Sequence, residues 1–412
     1  MRDRRRVLVL AYFFPPLGGA GVQRTLKFVE YLAPLGWDST VVSTRSRVYG
    51  ARDPSLLDEV PPGTRVIRTA AFPLARYLGI LLYKLRLMRL RAWVIWPDGG
   101  VGWAPFALLT ALRAARRERP DVLFSTSAPY GAHLVAMLVA RLSGTPWVAD
   151  FRDEWSTNPG LEAQPKALNK LAARAERAIA TRAARVTVAA DYFRLAGLPA
   201  GDPRRVEIVN GADEADLAAA GQGSPPADRF VLAHVGTIYG EQDPSPVLEA
   251  LAALVARGEI DGERVAVRLV GAIWDETFAP PAGIEVEAVG YIGHREAVAE
   301  MTRATALLLY VSSSSLAPSG KLFEYLAAGR PVLCVTRPDN LASRLVREWG
   351  AGVAATPDDG PGIEQALLEL WRRWQSDALP DQAAVRDRTF ELYSRRSAAE
   401  RLAGVLTEAC GG

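Results

Sequence analysis

The chain has 412 residues, a length that suits two domains of ordinary size. Hydrophobic residues make up 49% and charged residues 23%, which excludes a disordered chain, and a formal net charge of only +3 excludes a bulk-basic nucleic-acid binder. Cys334 and Cys410 have no metal-ligand spacing and no disulfide framework, as expected in a reducing compartment.

Met1 to Arg6 is basic and Val7 to Phe14 apolar, as in a short signal peptide. The apolar run meets Pro15-Pro16 and Gly18-Gly19 with no small-residue cleavage pattern, so it reads as an opening buried strand. Val22, Leu26, Val29 and Leu32 then recur at helical spacing. Further strands are predicted at Ser39–Ser43, Arg65–Arg68, Asp121–Ser125, Trp147–Phe151, Arg185–Ala189 and Val206–Val209. Gly211 to Asp228, rich in Ala, Gly, Pro and acids, reads as a linker. A second series follows at Phe230–Val235, Val265–Val270, Ile284–Val289, Ala306–Val311 and Pro331–Val335. Two βα series joined near residue 212 predict two Rossmann-like, doubly wound α/β domains facing each other across a cleft. No apolar run reaches the ~18 residues that a membrane span needs, so the expectation is a soluble, cytoplasmic protein.

Gly18, Gly19 and Gly21 lie between the first strand and its helix, where backbone amides attract anions. Gly19-Ala20-Gly21-Val22-Gln23-Arg24 nearly spells a dinucleotide fingerprint, but Arg24 replaces the third glycine. Ser43, Thr44 and Arg45 stand where the ribose-binding acid belongs. These departures argue against a nicotinamide enzyme and leave a purely structural turn as an alternative. Asp213-Glu214-Ala215-Asp216 spells a helicase box, but without a GxxxxGK[ST] loop it reads as a charge cluster of the linker.

Between Glu59 and Asp98 stand seven Arg or Lys and no acid, with Tyr77, Tyr83, Trp93 and Trp96 among many leucines. Residues 76–96 suit an anionic membrane surface. Taken as one helix, the segment sends Lys84 and Arg91 one way and Arg86 and Arg89 roughly the other, so packing or acceptor recognition stays open beside it.

The segment Ala317 to Gly329 carries the clearest chemistry. Ser319 suits an N-cap, and Gly320 and Lys321 open a short helix, so free amides and an ammonium converge as a diphosphate would require. Glu324, one turn on, suits a vicinal diol such as ribose. Lysine is scarce, five of 49 basic residues, yet one stands here, where a compact point charge has a use. The alternative on spacing alone is a solvated Lys and Glu on a surface helix. His133, His234 and His294 show no metal spacing, and His234 reads as a packed residue of its strand.

Taken in order along the chain, these segments resemble the family 4 glycosyltransferases of the GT-B fold. Phe13-Phe14-Pro15-Pro16 with Gly18-Gly19, Ser127-Ala128-Pro129-Tyr130 with Ala132-His133-Leu134, Asp150-Phe151-Arg152-Asp153, Val209 to Asp213, Val289-Gly290-Tyr291-Ile292 and Ser319 to Gly329 all carry the similarity. Two departures stand out. Leu316 replaces the first of two glutamates spaced eight apart, and the loop Gly236-Thr237-Ile238-Tyr239-Gly240 lacks the family's bases, leaving Lys321 and amides to meet the diphosphate.

The resemblance implies a hexosyltransferase-type enzyme that retains anomeric configuration. Its substrates would be a nucleotide-sugar donor and a cell-surface polysaccharide or lipid-linked glycan precursor. The donor is a co-substrate and no cofactor is implied; with no Asp-x-Asp in the chain, no metal is expected. Gly18, Gly19, Gly236, Thr237, Ser319, Gly320, Lys321 and Glu324 are the expected donor-binding residues, and Arg152 and Asp153 the catalytic ones. An internal Arg–Asp pair is the bland reading of the last two. Domains are expected at 1–212 and 213–390, with a helix at 391–412 returning to the first, and the basic segment adds peripheral attachment at the inner face of the membrane. The alternatives are a degenerate nucleotide-sugar binder, a phosphorylase or a GT-B epimerase.

Overall fold

The computed structural model describes residues 4–45, 51–72, 74–158, 164–221, 223–238, 242–273, 278–311 and 320–411. The chain divides into two compact units: Met1–Asn210 with Arg395–Gly412, and Gly211–Ser394.

The first unit is built on seven parallel strands: β1 (Arg5–Leu10), β2 (Trp37–Thr44), β3 (Arg65–Thr69), β4 (Val122–Thr126), β5 (Trp147–Phe151), β6 (Arg185–Val188) and β7 (Arg205–Glu207). They lie in the order β3-β2-β1-β4-β5-β6-β7. Helices cover both faces, which is why β1, β4 and β5 are near-continuous apolar runs rather than alternating ones. Val22, Leu26 and Val29 of helix Ala20–Leu32 share a core with Ala399, Leu402 and Leu406 of the last helix, Arg395–Ala409. The C-terminal residues thus complete the core of the unit that the N-terminal residues begin.

The second unit holds six parallel strands: β8 (Phe230–Val235), β9 (Val265–Val270), β10 (Glu285–Gly290), β11 (Ala306–Tyr310), β12 (Val332–Val335) and β13 (Gly352–Ala355). Their order is β10-β9-β8-β11-β12-β13. One face buries Phe230, Leu251, Leu367 and Trp371; the other buries Leu307, Leu322, Phe323 and Tyr325. β13 has no counterpart among the predicted strands; four residues of Gly, Val and Ala give little periodic signal.

Two local expectations are corrected. The stretch from Gly211 to Asp228 is not all linker: Glu214–Ala220 is a helix, capped by the Asp213 carboxylate, which accepts from the amides of Ala215 (3.0 Å) and Asp216 (3.2 Å). The helicase-like tetrapeptide is this capped helix start, and Asp216 further pairs with His294 at 3.0 Å. The basic segment is not one helix either. It folds into Leu74–Lys84 and Met88–Val94, with Arg86 at φ 57° where the chain reverses. A helical-wheel argument across that reversal does not apply.

In an open parallel sheet, ligands bind beyond the carboxyl ends of the strands, where the strand order reverses direction. That point lies between β1 and β4 in the first unit and between β8 and β11 in the second. The segments that the sequence singles out follow these strands: Gly18–Gly21 after β1, Ser127–Tyr130 after β4, Gly236-Thr237 after β8 and Gly320–Glu324 after β11.

Candidate active site

In the second unit, helix Gly320–Ala328 buries Leu322, Phe323, Tyr325 and Leu326 and leaves Lys321 and Glu324 on its half-buried side. The Tyr325 hydroxyl accepts from the amide of Val235 (2.7 Å) and donates to its carbonyl (3.1 Å), so the helix is pinned to the end of β8. Gly236 then passes directly under Lys321. A Cβ on Gly236 would lie 2.1 Å from the Lys321 Cε, and its φ of +147° suits only glycine.

The Lys321 ammonium lies 3.3 Å from His234 Nε2, 3.4 Å from Gln242 Oε1 and 3.5 Å from the Thr237 carbonyl. Because His234 Nδ1 faces the Leu308 carbonyl at 2.9 Å, the ring proton belongs on Nδ1, and Nε2 presents a lone pair to the ammonium. Burial first, and then the nearby Lys321 charge, pushes the His234 pKa down to about 3, so the ring is neutral. Burial likewise brings Lys321 down to about 8, against the opposing pull of the Glu324 carboxylate. The sequence reading of His234 as a packed strand residue is right about its burial, but nothing local reveals the lysine it faces. Ser319, the predicted N-cap, lies outside the described residues, as do Tyr239, Gly240 and Leu316.

In the first unit, Gly19 takes φ 87° at the N-cap of helix Ala20–Leu32, and the Gly18 amide donates to the Ala51 carbonyl at 3.0 Å. Arg24, the residue that spoils the dinucleotide fingerprint, is buried. Its guanidinium grips both oxygens of Asp150 at the end of β5, at 2.8 and 3.1 Å. Asp150 also accepts from the hydroxyls of Thr187 (2.7 Å) and Thr126 (2.8 Å). Burial alone would raise the Asp150 pKa, but Arg24 and these hydroxyls hold it below the ordinary carboxylate value.

Arg152 does not form the simple pair with Asp153 that the bland sequence reading supposes. Its guanidinium donates to the carbonyls of Gly21 (2.8 Å) and Ala20 (3.2 Å), bracing the glycine turn from β5. Asp153 is exposed. His133 is buried with Nδ1 2.8 Å from the Ser125 hydroxyl, and burial lowers its pKa to about 4, so it is a neutral core residue. Asp98 went unremarked in the sequence. Its half-buried carboxylate accepts from the amides of Gly100 (2.8 Å), Tyr130 (2.5 Å) and Gly131 (3.3 Å), and desolvation raises its pKa to about 6. It caps helix Gly131–Ser143 from a distant part of the chain, and distant caps leave no sequence signature.

Residues 18–211 match the glycosyl transferase 4-like domain family. No curated protein shows significant sequence similarity to the chain. Among solved structures, the chain is similar to a sucrose-phosphate synthase from Thermosynechococcus elongatus, with TM-score 0.66 and 16% identity over 98% of this chain and 99% of the other. It is similar also to HepE of Anabaena, solved in complex with UDP-glucose, with TM-score 0.64 and 13% identity over 98% and 99% of the two chains. A putative UDP-N-acetylglucosamine 2-epimerase from Listeria monocytogenes shares the fold at TM-score 0.56 and 12% identity, covering 98% of this chain and 96% of the other. The fold therefore does not by itself separate transferase from epimerase; the family match across the first unit does, and it disfavours the epimerase alternative. Residues 18–211 thus match the glycosyl transferase 4-like domain, and the chain shares the GT-B fold of these glycosyltransferase structures over nearly its whole length.

Proposed function

We propose that this glycosyltransferase takes its sugar from a nucleotide-sugar donor held by the second unit, with retention of configuration and without a divalent metal, and passes it to a glycan or lipid-linked acceptor. The observation that carries the proposal is the placement of Lys321. It sits at the start of helix Gly320–Ala328, against Gly236 and the end of β8, at the point where the strand order reverses. A helix start and an ammonium together suit a diphosphate. Glu324, one turn along, takes the ribose diol. Gly236, Thr237 and Gly320 let backbone approach the phosphates, and Ser319 completes the set on sequence grounds. HepE, similar over nearly its whole length, binds UDP-glucose, which makes a uridine donor the first choice.

In this reading the sugar–phosphate bond breaks as the acceptor oxygen attacks from the same face. The acceptor proton passes to the departing phosphate oxygen, so no protein base is needed. Lys321 and the helix amides stabilise the charge that grows on the leaving diphosphate, the role that a metal fills elsewhere. Arg152 braces the turn at Gly18–Gly21 in the first unit, and Asp153, exposed beyond β5, orients an acceptor hydroxyl.

A thermal-shift panel of nucleoside diphosphates and nucleotide sugars tests donor binding, since a ligand of the folded state raises stability by RT ln(1 + [L]/Kd). Slow release of nucleoside diphosphate from the stabilising donor, undiminished by chelator, is the expected result. A strict requirement for Mg²⁺ or Mn²⁺ would overturn the metal-free mechanism. Binding without any release would leave a degenerate binder.

A further inference from the structure

The helical hairpin Leu74–Lys84 and Met88–Val94 contains none of the residues assigned above to donor binding or transfer, yet it is held in a definite shape. Leu82 and Ala92 are buried on its inner side. Gly79 admits the partner segment closely: a Cβ there would lie 2.9 Å from the Ile95 side chain. The base is tied down where the Phe72 amide donates to the Gly102 carbonyl at 2.8 Å, and the Arg91 guanidinium sits 5.7 Å from the Tyr83 ring centroid.

The outer side is unlike the rest of the molecule. Among the described residues, twenty large apolar side chains are exposed, and ten of these fall between Phe72 and Trp93. They include Tyr77 (56% exposed), Leu81 (52%), Tyr83 (61%), Leu90 (53%) and Trp93 (53%). Concentrated exposure of this kind on a soluble domain marks an interaction surface. Lys84, Arg86 and Arg89 are exposed beside them, with no carboxylate partner among the described residues. No acid at all occurs between Glu59 and Asp98.

We propose that this hairpin docks on an anionic lipid bilayer, lying among the headgroups without crossing them. Charge complementarity selects the occupant. A second copy of the chain would bring the same all-basic face and repel, whereas anionic headgroups meet the cations while the acyl boundary receives the leucines. Tyr and Trp are the residues that favour such a boundary. The helices have 11 and 7 residues, about 16 and 10 Å long at 1.5 Å per residue, against a hydrocarbon core of about 30 Å. Among the described residues no helix is long and apolar enough to span. The proposal stands independently of where the donor binds.

The test is co-sedimentation of the full chain with phosphatidylcholine vesicles, with and without phosphatidylglycerol. Binding is expected only to the anionic vesicles and should weaken with salt. The triple variant Lys84→Gln/Arg86→Gln/Arg89→Gln should bind roughly a hundredfold more weakly, at about a kcal/mol per cation. The variant Leu81→Ser/Leu87→Ser/Leu90→Ser should lose binding at every salt concentration. All six positions are exposed, so far-UV circular dichroism and the donor-induced thermal shift should match wild type in both variants. That retained shift separates loss of docking from loss of the donor site. Wild-type protein left in the supernatant, or variants that bind as it does, would overturn the proposal. So would a concentration-dependent dimer abolished by the same substitutions, which would assign the face to a second copy.

Discussion

Two glycine turns stand at equivalent places in the two sheets, one after β1 and one after β8, and their cations are used in opposite ways. At the first, Arg24 is buried in a two-pronged pair with Asp150, and Arg152 is spent on the carbonyls of Ala20 and Gly21. Both guanidiniums are absorbed by the protein itself. At the second, the described contacts of Lys321 are long, 3.3–3.5 Å, and go to an imidazole, an amide oxygen and a carbonyl. The Glu324 carboxylate, one turn along the helix, adds an opposite charge that pulls the Lys321 pKa up against burial. The two turns differ in the carboxylate near the cation: the one that Arg24 pairs with is fully buried, whereas Glu324, which acts on Lys321, is half-buried on the same helix.

The largest effect should come from breaking the first turn's pair. Arg24→Met strands a buried carboxylate, and removal of one partner of a buried ion pair costs about 3–5 kcal/mol. Urea unfolding should show that loss, and Arg24→Met/Asp150→Leu should recover much of it. Folded Arg24→Met protein should bind donor normally. If stability holds and donor affinity collapses, the comparison is reversed and the first turn is the ligand site.

Next in size is Glu324→Ala. Hydrogen bonds to a charged group are worth about 1.5–3 kcal/mol, so donor Kd should rise about tenfold to a hundredfold or more. Calorimetry with a 2′,3′-dideoxy nucleotide should show a smaller defect, since both sides then lack the partner. Lys321→Ala should hurt the nucleoside diphosphate far more than the nucleoside, and turnover as well. Wild-type donor affinity in folded Glu324→Ala would remove the site from the second unit.

Gly236→Ala asks whether the close approach under Lys321 matters. An alanine at this φ is strained by about 1–3 kcal/mol, and its Cβ would push the flexible ammonium aside. Diphosphate affinity should fall, with less effect on the nucleoside. Equal losses for both ligands would show a general distortion instead.

The gentlest probe is pH. With Lys321 near 8 in the free protein, kcat/KM should decline as pH rises through about 8, and Lys321→Arg should abolish that limb at reduced activity. The stability sign follows separately. A lysine pKa lowered by folding means that the unfolded chain binds the extra proton between about pH 8 and 10.5, so this group's contribution to stability rises with pH there. An alkaline limb unchanged in Lys321→Arg would assign it to another group.

Much of the secondary structure was legible from the residues, because apolar runs and 3.6-residue spacing report local burial directly. Phe230–Val235 and Trp147–Phe151 appear with the predicted bounds, and helix Gly320–Ala328 opens where Gly320 and Lys321 suggested. The reversal within the hairpin was not legible, because it rests on Arg86 at positive φ, with neither glycine nor proline to signal it. The glycosyltransferase resemblance came from the order of motifs along the chain, which is also a property of sequence alone.

What tertiary structure decided is which distant groups meet. Arg24 finds Asp150 across 126 positions, and Lys321 finds His234 across 87. Both encounters depend on strand order, which places β1 and β5 in one sheet and β8 beside β11 in the other. Spacing along a chain encodes faces of helices and strands over a few residues. It does not encode which strand lies next to which, and here that adjacency brings Arg24 to the buried Asp150 carboxylate and Lys321 to His234.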